Sequence, residues 1–186
     1  MSVRPEIVVV GSINLDISVV VDALPLPGET VLGSDALWNG GGKGANQAVA
    51  AAKLGRRVAM VGAVGADSAG AEQLANLSAN GVDVAGVVTI DDAPTGLAMI
   101  VVDERAENNI VVSPGANARL TPEAVAAAGV LDDAAIVLVQ FEVPADVVWP
   151  LANGARSPCR QLLLPPVPHV RACMKPLGQS FPTGAN

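Results

Sequence analysis

A run of glycines that leads straight into an alanine-rich segment constrains this chain more than any other feature of its sequence. Four of the five residues from Gly40 to Gly44 are glycine. Glycine has no Cβ, so the backbone can bend sharply there and a ligand can approach it closely. A helix that begins in such a bend points unpaired backbone N–H groups into it. The stretch therefore predicts a bend that can hold a ligand at the N-terminus of a helix.

Two polar residues in this stretch indicate the kind of ligand. Lys43 and Asn46 are three positions apart, so they share one face of the predicted helix. The lysine supplies charged donors, whereas the asparagine amide can both donate and accept. This pair suits a polyhydroxyl or anionic small molecule.

The phosphate-binding P-loop is one alternative, and it does not fit. That motif needs Ser or Thr directly after its Gly-Lys pair, and a glycine five residues before it. Here Gly44 follows Lys43, and Leu37 occupies the position of the first glycine.

A dinucleotide-binding loop is a weaker alternative. Gly40-x-Gly42-x-x-Ala45 fits its glycine pattern, and Asp67 stands about 20 residues further on, where that pattern has an acidic residue. The pattern also needs a strand directly before the glycines, and residues 36–38 are a poor candidate for one. A plain loop that leads into a helix is the remaining alternative.

Composition and charge narrow the class of protein. The 186 residues favour a single domain, and 51% of them are hydrophobic, which suits a sizeable core. The net charge of −7 argues against nucleic acid as a partner. No apolar run approaches the length of a membrane span and the first residues lack a signal-peptide pattern, so we expect a cytoplasmic protein without a membrane partner. Two cysteines near the end predict no disulfide framework.

The composition changes abruptly near residue 155. All 18 acidic residues lie at or before Asp146, whereas residues 156–186 contain no acid, both cysteines, the single histidine and six of the 14 prolines. Prolines at this density disfavour a regular helix and a central strand. We therefore expect one folded domain over residues 1–155. The unrelated, irregular tail over 156–186 would be either a frameshifted reading or a disordered extension.

Short apolar runs alternate with capped helical segments along the folded part. Ile7–Val10 is an unbroken β-branched run that predicts a strand buried on both faces. Strands alternating with helices predict a parallel sheet flanked by helices. Two further pairs of strands, at about 17–38 (Ile17–Val21 and Thr30–Trp38) and 97–112 (Leu97–Val102 and Asn109–Val112), do not fit this alternation and predict a second, smaller sheet. The remaining predicted elements are a helix at Lys43–Leu54, a strand at Val58–Gly62, a helix capped by Asp67, a strand at Val84–Ile90, a helix capped by Thr121, and a strand at Ile136–Val139.

Three segments in the same order resemble the ribokinase type of the PfkB carbohydrate-kinase family. They are Val10-Gly11-Ser12-Ile13-Asn14-Leu15-Asp16, Pro27-Gly28-Glu29-Thr30 and Gly41-Gly42-Lys43-Gly44-Ala45-Asn46-Gln47-Ala48. The resemblance runs from about residue 7 to residue 155, so the chain is interpreted as a truncated, amino-terminal half. It implies a ribokinase-like α/β fold in which the smaller sheet is a lid over the sugar site and part of a homodimer interface.

The resemblance also implies a reaction and a set of site residues. The family transfers the γ-phosphoryl group of ATP to a sugar hydroxyl with Mg²⁺ and, in this type, K⁺, and the match favours D-ribose as the sugar and ribose 5-phosphate as the product. Asn14 and Asp16 follow a strand, where Asn and Asp often serve only to form a turn. Alternating apolar residues on a strand, such as Ala98 and Ile100, are often only core residues. The implied sugar-binding residues are Asn14, Asp16, Gly42, Lys43, Gly44, Ala45, Asn46 and Glu142, with Ala98 and Ile100 as lid residues.

The family's catalytic segment, of Gly-Ala-Gly-Asp type, is not recognisable in this sequence. Gly65-Ala66-Asp67 and Gly115-Ala116-Asn117 are the nearest strings, and neither has the surrounding pattern. We therefore assign no catalytic residue and no metal ligand, and expect this chain alone to be inactive as a kinase. A non-catalytic sugar-binding or dimerising remnant is the alternative function, and an oxidoreductase on a dinucleotide fold is a more distant one.

Overall fold

A computed structural model describes residues 4–132, 134–152 and 161–163 of the chain. In this part of the chain, strands and helices alternate as the sequence predicts. The elements in order are β1 (Ile7–Val10), β2 (Asn14–Val21), β3 (Leu37–Gly41), α1 (Lys43–Lys53), β4 (Val58–Gly65), α2 (Ser68–Ala79), β5 (Val82–Ile90), β6 (Gly96–Asp103), β7 (Asn108–Ser113), a 3₁₀ helix (Gly115–Arg119), α3 (Pro122–Ala127), β8 (Ile136–Val139), α4 (Ala145–Ala152) and β9 (Gln161–Leu163).

The larger sheet has the strand order β5-β4-β1-β8-β9, and each neighbouring pair is parallel. Val8, Val9 and Val10 of β1 are fully buried in its middle. Val9 packs with the side chains of α1 and α2, whereas Val8 and Val10 pack with those of α3 and α4 on the other face. The predicted parallel sheet between two helical layers is confirmed. Burial on both faces explains why the strand consists of β-branched residues without polar alternation.

Helix α1 begins where the sequence predicts. Gly42 precedes it with a φ of 90°, a conformation that favours glycine, and Gly55 follows it with a φ of 79°. The buried side of the helix carries Ala45 and Ala48. Their small side chains bring the helix close to β1 and β4.

The smaller sheet has the strand order β3-β2-β6-β7. Strands β2 and β6 are parallel, and β3 and β7 lie antiparallel on either side of them. The predicted second, smaller sheet is therefore present, and it is called the lid sheet here after the role that the resemblance implies. Its third strand is not where it was predicted. Residues 30–36 form no strand, and β3 instead runs through the first glycines, Leu37–Gly41.

The contacts of Ser34 explain this shift. Its backbone N–H donates to Val20 O at 2.8 Å, and its hydroxyl accepts from Val20 N–H at 3.0 Å. This local bridge replaces a ladder along residues 30–36, and Leu32 beside it is exposed. The interpretation of residues 36–38 as a poor strand candidate is wrong, because β3 includes Leu37 and Trp38.

Strand β3 nevertheless belongs to the smaller, mixed sheet. A dinucleotide-binding loop follows a strand of the parallel sheet, so the position of β3 does not match that alternative.

The tail contains one strand, contrary to the prediction that it is irregular throughout. Strand β9 pairs in parallel with β8, with Val137 opposite Leu162. Its three residues precede the first clustered proline, Pro165, so each still has a backbone N–H to donate. Because β9 pairs with β8, β8 is not the edge strand of the larger sheet. The rest of the tail lies outside the described residues, and its frameshifted or disordered nature stays a prediction.

Candidate functional site

The predicted site residues meet where the two sheets join. The carboxyl ends of β1 and β8 lie side by side in the parallel sheet, so Ser12 and Glu142 are neighbours. Strand β2 carries Asn14 and Asp16 from the end of β1 into the lid sheet, and the N-terminus of α1 brings Lys43 to the same place. Open α/β sheets bind ligands at this edge.

Glu142 anchors one side of the site. Its carboxylate accepts a hydrogen bond from the Ser12 hydroxyl at 2.6 Å and one from the Lys43 backbone N–H at 3.3 Å, and it pairs with the Lys43 ammonium group. Burial by itself would raise the pKa of Glu142. The hydrogen bonds from Lys43 and Ser12 and the lysine charge outweigh burial and hold that pKa below its usual value. Glu142 is therefore an ionised group that positions Lys43.

Asp16 forms the opposite side of the site, and its environment differs. A Cβ on Gly41 would lie 2.0 Å from the Asp16 Cγ, so the carboxylate fills the space that glycine leaves open. Its Oδ1 atom is buried and has no hydrogen-bond partner among the described residues. Burial, together with the negative charge of Glu142, raises the pKa of Asp16. A buried acceptor without a partner is a group that a ligand hydroxyl can satisfy.

Gly42 and Gly44 allow the helix to approach β1 closely. A Cβ on Gly42 would lie 2.7 Å from Ser12 O, and one on Gly44 would lie 2.7 Å from the Gly11 carbonyl carbon. Ala45 is buried against the same strand end, and its N–H donates to Ser12 O at 3.0 Å. Gly44 and Ala45 therefore lie beneath the site as packing residues, and their predicted contact with a sugar stays a prediction.

The remaining predicted residues surround this centre. Asn46 lies near the start of α1 with an exposed side chain. Ala98 is buried and sits opposite Asp16 in the lid sheet, while Ile100 is half-buried opposite Ser18. Cross-strand partners point to the same face of a sheet, so Ala98 and Ile100 share the face of Asp16. They are placed to form the wall that the resemblance implies.

Sequence reasoning missed Asn117. Its side chain is 1% exposed and bonds both to the backbone of Ile13 and to the Asn14 side chain, more than one hundred residues away. The string Gly115-Ala116-Asn117 is only a poor match to the family's catalytic motif. Nothing within that string indicates contact with Asn14, because the contact depends on the return of the chain from the lid sheet.

Lys43 is a cation at the centre of the site, but it is already paired with Glu142. In the ranges that the structure describes, no group of three or more His, Cys, Asp or Glu is placed to hold a metal ion. Sites for the ATP, Mg²⁺ and K⁺ that the resemblance implies for the whole family stay a prediction. Within the same ranges, no helix has the length and hydropathy needed to cross a bilayer.

Comparison with known proteins gives a consistent result. The chain is 42% identical over 164 residues to the ribokinase of Bacillus subtilis, covering 88% of this chain and 56% of the relative. It is 38% identical over 172 residues to the ribokinase of Schizosaccharomyces pombe, covering 89% and 54%. The chain thus spans about half the length of the curated relatives it matches.

Solved structures agree with this comparison. The Thermotoga maritima ribokinase superposes with a TM-score of 0.75 at 35% identity, covering 84% of this chain and 51% of that one. The Arabidopsis thaliana ribokinase, solved with ribose and ATP, gives a TM-score of 0.69 at 32% identity, covering 87% and 53%. The predicted ribokinase-like fold is confirmed.

The family model of pfkB family carbohydrate kinases matches residues 4–175. This match runs past residue 155, where the resemblance seen in the sequence stops, and it includes β9. From the model match, the relatives and the shared architecture, the chain belongs to the pfkB family of carbohydrate kinases.

Proposed function

We propose that this chain binds D-ribose as the acceptor of a ribokinase-type carbohydrate kinase, which transfers the γ-phosphoryl group of ATP to give ribose 5-phosphate. The observation that carries the proposal is the Asp16 carboxylate, which has no hydrogen-bond partner among the described residues at its buried Oδ1 and lies close enough to Glu142 for that negative charge to raise the pKa of Asp16. The names of the ribokinase relatives, and the structure solved with ribose and ATP, support this choice of substrate.

The donors and acceptors suit a sugar. Each hydroxyl of ribose has one proton to donate and lone pairs that accept, so a matching site needs groups of both kinds. Asp16 supplies a carboxylate acceptor, and Lys43 and the Asn14 amide supply donors. Hydrogen bonds that involve a charged group are about twice as strong as neutral ones. Asp16 and Lys43 are therefore the expected main contributors to affinity.

The contribution of these residues to the reaction is binding and orientation. In phosphoryl transfer the sugar oxygen forms a bond to the γ-phosphorus, the bond between that phosphorus and its leaving oxygen breaks, and the hydroxyl proton passes to a base. The described residues hold and orient the acceptor, and none of them is assigned as that base. Orienting one reactant contributes only part of the rate that placing both reactants in line would give.

Isothermal titration with D-ribose tests the proposal. We expect binding by the unmodified chain and a loss of about ten-fold or more for Asp16→Ala, because a hydrogen bond to a charged group contributes about 1.5–3 kcal/mol. Asp35→Ala is the matched control, since Asp35 is an exposed aspartate before β3. An unchanged dissociation constant for Asp16→Ala would remove Asp16 from the site. Binding of NAD instead of ribose would favour the oxidoreductase alternative.

The alternative function is a sugar-binding or dimerising remnant without catalysis. The observation that favours it is that Lys43, the cation at the proposed sugar site, is paired with Glu142 rather than open to a phosphate. A coupled assay of ADP release, with ribose, Mg²⁺ and K⁺, tests whether these 186 residues are catalytic by themselves. We expect ribose binding without ADP release, and turnover near one per second that is abolished by Asp16→Ala would exclude a remnant without catalysis.

Homodimerisation through the lid sheet, in a cytoplasmic protein, is part of the same proposal. Apolar side chains on this sheet are exposed in the single chain, including Trp38 at 61%, Met99 at 46%, Ile110 at 52% and Val111 at 60%. Exposed apolar groups that lie together on one sheet are typical of an interface. A second copy of the chain would bury them.

Two neighbouring substitutions test the dimer and identify the interface. Consecutive residues on a strand point to opposite faces, so Ile110→Lys and Val111→Lys each place a charge on a different face of the lid sheet. We expect sedimentation to show a dimer for the unmodified chain and a monomer for one of the two variants. A monomeric unmodified chain, or a dimer in both variants, would refute dimerisation through this sheet.

A further inference from the structure

Asn117 holds the junction between the two sheets with three side-chain hydrogen bonds. Its Oδ1 accepts from the Ile13 N–H at 2.9 Å, and its Nδ2 donates to Ile13 O at 3.0 Å and to Asn14 Oδ1 at 2.8 Å. We propose that Asn117 is a positioning residue that sets the orientation of the Asn14 amide, so that Asn14 presents its NH₂ group to the acceptor sugar. This inference rests on the proposed function.

The backbone of Ile13 determines which way the Asn117 amide points. A peptide N–H can only donate and a peptide C=O can only accept, so Asn117 must place its oxygen toward the first and its nitrogen toward the second. The two ends of an asparagine amide are otherwise hard to tell apart. Here a flipped Asn117 would lose both bonds to Ile13 while nearly fully buried, and leaving buried polar groups unpaired is strongly unfavourable.

The orientation of Asn14 follows from that of Asn117. One proton of the Asn117 NH₂ group is taken by Ile13 O, and the other is directed at the Asn14 side chain. Only an oxygen can accept it, so Asn14 turns Oδ1 toward Asn117 and its own NH₂ group away from it. The Asn14 NH₂ group therefore donates a hydrogen bond to a sugar hydroxyl, whereas the Asp16 carboxylate accepts a hydrogen bond from one. The site gains a directional preference that neither residue type would supply alone.

Gly96 makes room for this pair. It is the first residue of β6 and lies opposite Asn14 in the lid sheet. A Cβ on Gly96 would lie 2.2 Å from Asn117 Nδ2 and 2.3 Å from Asn14 Oδ1, which is closer than any ordinary contact. Gly96→Ala thus disturbs the pair without altering either amide.

A double-substitution cycle on the 186-residue chain tests the inference. Asn117→Asp replaces the donating NH₂ group with an oxygen, so we expect about five- to ten-fold weaker ribose binding, the effect of one neutral hydrogen bond. If Asn117 acts through Asn14, the same change in an Asn14→Ala background should alter the dissociation constant by less than about two-fold. Equal losses in both backgrounds would overturn the proposal. Asn108→Asp, at an exposed position, is the matched control.

A panel of deoxyriboses gives a readout that a merely structural role would not change. Asn14→Ala should leave unchanged the affinity for the deoxyribose that lacks the hydroxyl contacted by Asn14, and this result identifies that hydroxyl. We expect Asn117→Asp, and Gly96→Ala if the first variant does not fold, to leave the affinity for that same deoxyribose unchanged while weakening ribose. Uniform weakening across the panel would show a general loss of structure and overturn the proposal.

Proton exchange in the unsubstituted protein separates this inference from the proposed function, because it needs no ligand. We expect both side-chain amide protons of Asn117 to exchange more slowly than those of the exposed Asn108, and Asn14→Ala to accelerate one of them. Equal, fast exchange for Asn117 and Asn108 would refute the hydrogen-bonded pair. A protected pair in a chain that fails to bind ribose would refute the proposed function and leave the amide orientation supported.

Discussion

Replacing Asp16 by asparagine should weaken ribose binding and, at the same time, stabilise the free protein. The carboxylate oxygen Oδ1 of Asp16 is buried without a partner among the described residues, and burial and the charge of Glu142 raise the pKa of Asp16. Asp16→Asn keeps the shape of the side chain and removes its charge. A residue that is retained to bind a ligand can destabilise the protein when the ligand is absent. Replacing such a residue is expected to weaken binding and to stabilise the free protein.

The expected size of each effect follows from the hydrogen bonds involved. A bond to a charged group contributes about 1.5–3 kcal/mol and a neutral one about 0.5–1.5 kcal/mol. The difference of roughly 1–1.5 kcal/mol corresponds to about a ten-fold weaker dissociation constant for ribose. In the free protein the neutral amide is less costly to bury than an ionised carboxylate, so we expect a gain in unfolding free energy on the order of 1 kcal/mol at pH 7.

Urea unfolding without ribose, between pH 4 and pH 8, is the assay. In the unfolded chain Asp16 titrates near 3.8, and in the folded protein it titrates above that value. The folded state therefore binds the proton more tightly, and the wild type loses stability relative to Asp16→Asn as the pH rises through this interval. The stability difference should be small near pH 4 and reach its full value by pH 7. Lower stability of Asp16→Asn at pH 7, or unchanged ribose affinity, would refute the reasoning.

Two further predictions come from the contacts around the site, and two come from the sequence. Glu142→Gln should destabilise the free protein by about 1–2 kcal/mol at pH 7, since it weakens the contacts to Ser12 and the half-exposed Lys43. Because the pKa of Glu142 is lowered in the folded protein, this difference in urea unfolding should fade as the pH falls through that pKa. Gly42→Ala should cost about 1–3 kcal/mol from its φ of 90°, plus the clash with Ser12 O. Gly55→Ala, at a φ of 79° with nothing within 4 Å, is its control in thermal unfolding and should cost less. These 186 residues alone should show no turnover near one per second, a rate within the usual enzyme range, in a coupled assay of ADP release. Turnover at that rate that is abolished by Asp16→Ala would contradict this. The nucleotide sequence beyond codon 155, read in the other two frames, should continue an α/β kinase, and its failure to do so in both frames would refute the frameshift.

Much of the fold could be predicted because its signals are local. The β-branched run Ile7–Val10 has a steric preference for extended backbone, and its lack of polar alternation places it in the middle of a sheet covered on both faces. Asp67 caps α2 as predicted, since its side chain accepts from the Gly70 N–H three residues later. These outcomes depend on atoms a few residues apart, so neither needs knowledge of the rest of the chain.

The second contact of Asp67 shows where local signals stop. Its carboxylate also accepts from the backbone N–H and the hydroxyl of Thr95, 28 residues away, at 2.8 and 2.6 Å. That contact ties the start of α2 to the loop before the lid strand β6. The capping pattern has no means of indicating it, because the position of Thr95 depends on strand pairing in both sheets.

Sequence alone determined the buried central strand, the glycine bend into α1 and the residue types available to bind a sugar, because backbone sterics and side-chain chemistry act within a few residues. Only the tertiary structure decided which of these groups meet. The pairing of Lys43 with Glu142 spans 99 residues and that of Asn117 with Asn14 spans 103. Such contacts are set by the order of strands in two sheets, and a shift of register by one residue turns each side chain to the opposite face.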